Sequence, residues 1–137
     1  MVYFMMLLFY RVPLTWNFLW LIPLLVMLIM YTTSISLLLA ALNVYYRDVK
    51  LASNFLLQFL FFATPVIYSI DAVDNRWKML LFLNPLTFIV ENMRRVTIEG
   101  RGIVLWQFTA ELFGVLILYF LVYRIFIRIE RAFADVI

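Results

Sequence analysis

The sequence predicts an all-α, polytopic transmembrane helix bundle: three full spans, a partial span at the N-terminus and a re-entrant helical pair. Three observations predict it. Two long stretches carry no charge, 35 residues from Val12 to Tyr46 and 20 from Leu51 to Ile70. The chain is 67% hydrophobic and 14% charged, little more than half the charge of a soluble domain, about 25%. Its mean hydropathy is +1.03, and apolar runs of about 18 residues or more read as membrane-crossing helices.

The partial span is residues 1–10, "MVYFMMLLFY", ten apolar residues ahead of Arg11. No basic region precedes them and no small-residue cleavage site follows, so they do not describe a signal peptide. Ten helical residues cover about 15 Å, roughly half of a hydrocarbon core of about 30 Å. The segment therefore reads as the trailing half of a helix, and the chain is expected to be a fragment or a truncated product. "RVPLTWN" then makes a tight connection, with Pro13 breaking the helix and Tyr10 and Trp16 suited to the interfacial belt.

The first full span is expected over 18–42, with Pro23 in its first turns, where proline is best tolerated. Its second half, "YTTSISLLLAAL", carries Thr32, Thr33, Ser34, Ser36, Ala40 and Ala41. Small and hydroxylated residues let helices approach closely, and they also suit the wall of a polar path. Next comes a polar knot, "NVYYRDVK", with Tyr46, Arg47, Asp48 and Lys50 exposed to water between two apolar runs.

The second span is expected over 52–70. It carries Asn54 and Gln58 on one helical face, the aromatic run "FLFF", and then Pro65. Residues 71–102 alternate polar and apolar, and "MLLFLNPLTFIV" is apolar for only 12 residues, too short to cross. Asn84 precedes Pro85, and a residue before proline avoids the helical region. The pattern predicts a short helix, a break at Asn84–Pro85 and a second short helix over 76–95. Two placements fit: a re-entrant pair shielded by protein, or an amphipathic pair lying on the surface.

The third span is expected over 103–125. Glu111 lies about 12 Å from its start by helical rise, where an ionisable residue marks a functional candidate. Gln107 sits one turn above it, and Arg94 or Arg95 is a candidate partner. Two roles stand for Glu111: a structural ion pair, or a place in a transport path. Beyond the span, Arg124, Arg128 and Arg131 form a cationic stripe suited to lipid phosphates.

Composition also excludes. With no cysteine and no histidine, disulfides, thiolate chemistry and histidine ligands are out. The net charge of +3 sits at the ends of apolar segments, which fits lipid headgroups rather than nucleic acid. Gly100, Gly102 and Gly114 are the only glycines, so no glycine-rich phosphate loop exists. Lys and Arg do not decide the orientation: three spans put six basic residues on one face (11, 76, 78, 94, 95, 101) and five on the other (47, 50, 124, 128, 131).

Four motifs, in order, resemble a known family: "LNVYYRDV", "FLLQFLFFATPVIYS", "RWKMLLFLNPLTFIVENMR" and the closing "IERAFADVI". Together they resemble the permease subunits of the ABC-2 family, in its polysaccharide, O-antigen or teichoic acid export branch. The resemblance implies that residues 1–137 are the C-terminal portion of one six-helix permease domain. It also implies a second permease copy as a homodimer partner and an ATP-binding cassette ATPase subunit that binds the ATP, with no cofactor on this chain. The family's N-terminal amphipathic helix, first two helices and main coupling helix have no counterpart here.

On this resemblance the knot and the C-terminus face the cytoplasm of a bacterial inner membrane, and the 76–95 pair faces outward. The expected function is export of a lipid-linked glycan, with Tyr31, Phe61, Phe62 and Tyr68 as candidate glycan-path aromatics, since rings offer stacking surfaces to sugars. Two alternatives are a membrane-embedded enzyme of lipid or glycan metabolism and a non-functional permease remnant. For the enzyme, Asp71, Asp74, Glu91 and Glu99 cluster in the 71–102 loop, without paired-carboxylate or metal-ligand spacing.

Overall fold

A computed structural model describes residues 15–46, 48–66, 68 and 70–134. The partial span 1–10, Arg11, Arg47 and the last three residues of the chain lie outside the described residues. Among the described residues every regular element is helical. A 3₁₀ turn, Trp16–Trp20, runs directly into α1, Leu21–Tyr45. Then follow α2 (Val49–Ala63), a short 3₁₀ turn (Ile70–Ala72), α3 (Asn75–Phe82), α4 (Pro85–Thr97) and α5 (Leu105–Ala134).

Among the described residues two stretches are long and apolar enough to cross a membrane, Trp16–Tyr45 and Leu105–Arg131. The first takes in the span expected over 18–42 and extends it at both ends; the second begins two residues inside the span expected over 103–125 and runs past its C-terminal end. The helix expected over 52–70 is corrected. α2 begins at Val49 and stops at Ala63, so its 15 residues reach only about 22 Å at 1.5 Å each. The cause is Pro65: Thr64 is extended, at φ −106° and ψ 129°, because the proline ring clashes with a helical residue before it.

The two long helices run parallel. Both begin at the same end, where Asn17 Nδ2 donates to the Gly100 carbonyl at 2.7 Å and the Trp20 and Phe108 rings meet edge to face at 5.5 Å. From there α1 buries Leu24, Met27, Tyr31, Ser34 and Ala41, and α5 buries Phe108, Val115 and Val122. Met27, Ser34 and Ala41 recur every seven residues, as do Phe108, Val115 and Val122. This is the spacing of a left-handed helix pair with a narrow seam. Lipid is as apolar as leucine, so close packing at small residues such as Ser34 and Ala41 holds such a seam together.

α4 completes the core by inserting Phe88 and Ile89 against Leu24, Met27 and Tyr31. The connection after α4 closes over the start of α1. Gly100, at φ +64°, provides the left-handed turn there, and the Arg101 N–H donates to the Arg95 carbonyl at 3.1 Å. The knot is a tight turn: α1 ends at Tyr45, and the Asp48 carbonyl already accepts from Leu51 and Ala52 in α2. α1 has 25 residues and is about 38 Å long. That length separates the knot end from the Gly100 end.

Candidate functional site: a polar cavity beside two proline breaks

The first break falls after α2 and the second between α3 and α4, where the sequence places it. Asn84 is extended, at φ −89° and ψ 115°, and its side chain caps α4 by accepting from the Leu86 N–H at 3.1 Å, with Pro85 in the first turn. Its Nδ2 donates at 3.1 Å to the hydroxyl of Thr64, the last residue before the other proline. The two X–Pro breaks are therefore bonded to each other.

Arg94 serves the same junction. Beyond Ala63 the backbone leaves the helix and its carbonyls need donors, and the Arg94 guanidinium supplies three of them. It donates to Pro65 at 3.2 Å, Val66 at 3.3 Å and Tyr68 at 3.3 Å. It also pairs with Glu91 at 3.2 Å. The Tyr68 hydroxyl donates to the Phe62 carbonyl at 3.1 Å, satisfying one more carbonyl in the last turn of α2. Sequence reading offers Arg94 as a partner for Glu111. Arg94 is instead committed to the α2 junction.

Arg95 sits about 100° further round the helix and faces elsewhere. It lines a cavity of about 280 Å³ between the end of α3, α4 and the first turns of α5. Glu91, Asn92, Gln107 and Glu111 supply its polar wall, and Phe82, Phe88 and Trp106 are its rings. Gln107 and Glu111, paired from sequence, thus share one cavity with Arg95. Among the described residues, no hydrogen bond or ion pair engages the side chains of Arg95, Gln107 or Glu111. Asn92 is buried, and its Nδ2 donates to the Phe88 carbonyl at 2.9 Å.

The remaining candidates are dispersed. Tyr46, Asp48 and Lys50 are exposed on the knot. Tyr31 is only 8% exposed and belongs to the core. Phe61 and Phe62 lie exposed on α2 and pack edge to face at 5.6 Å. Tyr68 is half-buried, with its hydroxyl on the Phe62 carbonyl. The hydroxyls of Thr32, Thr33 and Ser34 each donate to the carbonyl four residues back at 2.7 Å, so they are satisfied within α1. The side chain of Asp71 lies outside what is described, and the other three acids of the 71–102 loop are separately engaged or exposed. Glu91 pairs with Arg94, Glu99 with Arg101 at 3.5 Å, and Asp74 is exposed at the start of α3. Among the described residues no acidic group gathers to hold a metal ion.

Comparison with known proteins adds what geometry does not supply. The ABC-2 type transporter family model matches residues 1–98. An O-antigen export system permease protein RfbA of Klebsiella pneumoniae is 26% identical over 91 residues, covering 66% of this chain and 34% of that protein. The RfbA of Myxococcus xanthus is 31% identical over 90 residues, covering 64% and 34%. The matched stretch spans about a third of the length of these curated relatives. Because the family model covers well over half of it, the chain belongs to the ABC-2 type transporter family.

Proposed function

We propose that this chain forms part of the membrane path of an ATP-driven exporter of a lipid-linked polysaccharide in a bacterial inner membrane. The observation that carries the reading, beyond family membership, is the state of α2. Among the described residues it buries none of its side chains. Asn54 and Gln58 are both exposed on one of its faces. Carboxamides do not face hydrocarbon without partners, so this face meets protein or water. A second copy of the chain, related by two-fold symmetry, brings two such faces around one polar path. Phe61 and Phe62 then offer ring faces to passing sugars.

The parallel setting of α1 and α5 requires the chain to return between them, and α2 with residues 64–70 is the returning crossing in this reading. The α3–α4 pair then enters the membrane and leaves on the side from which α5 starts. The knot, with Tyr46, Arg47, Asp48 and Lys50, and the basic end of α5 face the cytoplasm, where an ATP-binding cassette ATPase subunit supplies the energy. The names of the relatives, O-antigen export permeases, support the substrate class.

The test is co-purification of the tagged chain from its host's membranes with an ATP-binding cassette ATPase subunit, identified by mass spectrometry, read together with surface polysaccharide in cells lacking the chain. Association and loss of surface polysaccharide are expected. A chain that purifies alone and whose deletion leaves the polysaccharide intact refutes the reading.

A further inference from the structure

We infer that the cavity between α3, α4 and α5 is a saccharide subsite, in which Glu111, Gln107 and Arg95 hold the hydroxyls of a neutral sugar against Trp106. The inference rests on the exporter reading for its biological meaning but on this cavity for its chemistry. Arg95, Gln107 and Glu111 line one space, and among the described residues none of them has a protein partner. The three form a mixed set: a carboxylate accepts, a guanidinium donates and a carboxamide does both. Sugar hydroxyls both donate and accept, so they match such a set better than a purely anionic or cationic group does.

Charge argues in the same direction. The lining holds two carboxylates, Glu91 and Glu111, against one guanidinium, Arg95. Arg94, which balances Glu91, is turned toward the carbonyls of Pro65, Val66 and Tyr68. A phosphate or other anion entering here meets no positive excess. The rings of Phe82, Phe88 and Trp106 complement the apolar C–H face of a pyranose. At about 280 Å³, the space falls just below the usual range of small-molecule pockets, roughly 300–1,000 Å³. It suits a ring or two of a glycan rather than a lipid tail.

The site also lies at a telling end of the molecule. Gln107 and Glu111 belong to the first two turns of α5, the end opposite the polar knot. In the proposed orientation that is the outer side, where an exported glycan emerges.

The test uses the full chain in lipid nanodiscs and three neutral probes: maltotriose, mannotriose and N-acetylchitotriose. Saturation-transfer NMR reads the bound sugar. At least one probe is expected to bind saturably, and Glu111→Ala and Gln107→Ala to weaken it about tenfold each, the value of one charge-assisted or well-buried hydrogen bond. Glu111→Gln keeps the shape and also weakens binding, while Leu116→Ala, on α5 outside the cavity, leaves it unchanged. Circular dichroism checks that each variant remains helical.

Absence of saturable binding by all three sugars overturns the inference, as does binding unaffected by both Glu111 variants. Displacement of the sugar by millimolar inorganic phosphate overturns it too, because it marks an anion site. Neither ATPase association nor surface polysaccharide is read in this experiment, so failure of the subsite leaves the exporter reading standing.

Discussion

Replacing Arg94 with leucine should loosen the junction between α2 and the α3–α4 pair by about 2–3 kcal/mol. The figure comes from four interactions. The three carbonyl bonds are 3.2–3.3 Å long, longer than the ~2.7–2.9 Å of strong charge-assisted bonds. Each is therefore placed near 1 kcal/mol rather than the ~1.5–3 kcal/mol of the best ones. The Glu91 pair is an i,i+3 contact with the Arg94 side chain 23% exposed and adds about 0.3–0.5 kcal/mol. Water reaches Val66, which is exposed, and rescues part of its loss. Unfolding by SDS in mixed micelles, followed by circular dichroism, measures the total. Glu91→Gln removes the charge that pairs with Arg94 while keeping the side chain's shape, and the loss of that pair should cost about 0.5 kcal/mol. Arg94→Lys retains the charge but cannot fork to several carbonyls, so it should fall between the two. If Arg94→Leu costs no more than Glu91→Gln, the carbonyl clasp is not what holds the junction.

Asn84→Ala removes both the cap on α4 and the bond to Thr64, and should cost about 1.5–3 kcal/mol by the sum of a cap and a hydrogen bond. Asn84→Asp keeps the cap but not the amide donor, so in the same SDS titration it should recover about half; full recovery would mean that the Thr64 bond contributes nothing. Gly100→Ala should destabilise by about 1 kcal/mol through its φ of +64° alone, since the nearest atoms to a new Cβ are 3.6 Å away on Thr15; an unchanged melting midpoint would argue against that turn. The chain has no cysteine, so Lys50→Cys and Arg101→Cys are clean topology reporters. A membrane-impermeant maleimide added to intact cells should label the Arg101→Cys chain, and the Lys50→Cys chain only after permeabilisation. Labelling of both from one side would rule out opposite ends.

What the sequence reveals here is what depends on neighbouring residues alone. Asn84 and Pro85 define a break through the geometry of one ring, and the structure has it at that step. The knot is equally local, a few polar residues that no apolar span can absorb. The end of α2 was less legible, although Pro65 is plain to see. Hydropathy measures how oily 52–70 is, not whether its backbone is helical, and the two part at Thr64. The seam between α1 and α5 was hidden for a related reason. A helix that is apolar on every side has no contrast by which to pick out Val115 and Val122, and only the small residues Ser34 and Ala41 hinted at it. Arg94 and Arg95 illustrate a missed inference. Adjacent residues lie about 100° apart on a helix, so a tandem pair had to point in two directions. Only packing decides which of them meets the cavity.

α4 is where these threads join, and its sequence explains why. Ile89, Met93 and Val96 follow one face and pack toward the core. Arg94, paired with Glu91, follows a second and donates to the carbonyls beyond α2. Phe88, Asn92 and Arg95 follow a third and line the cavity. At 13 residues the helix is about 20 Å long, too short to anchor itself across a bilayer of about 30 Å. Its position is therefore set by these side contacts. Arg94 and Asn84 bond the stretch after α2 to α4, and α4 in turn forms the cavity wall beside Glu111. Backbone breaks at membrane depth survive only where protein shields them. In the proposed membrane placement the shield is the same small helix that borders the polar cavity, so the bonds of Arg94 and Asn84 tie the break after α2 to the cavity wall.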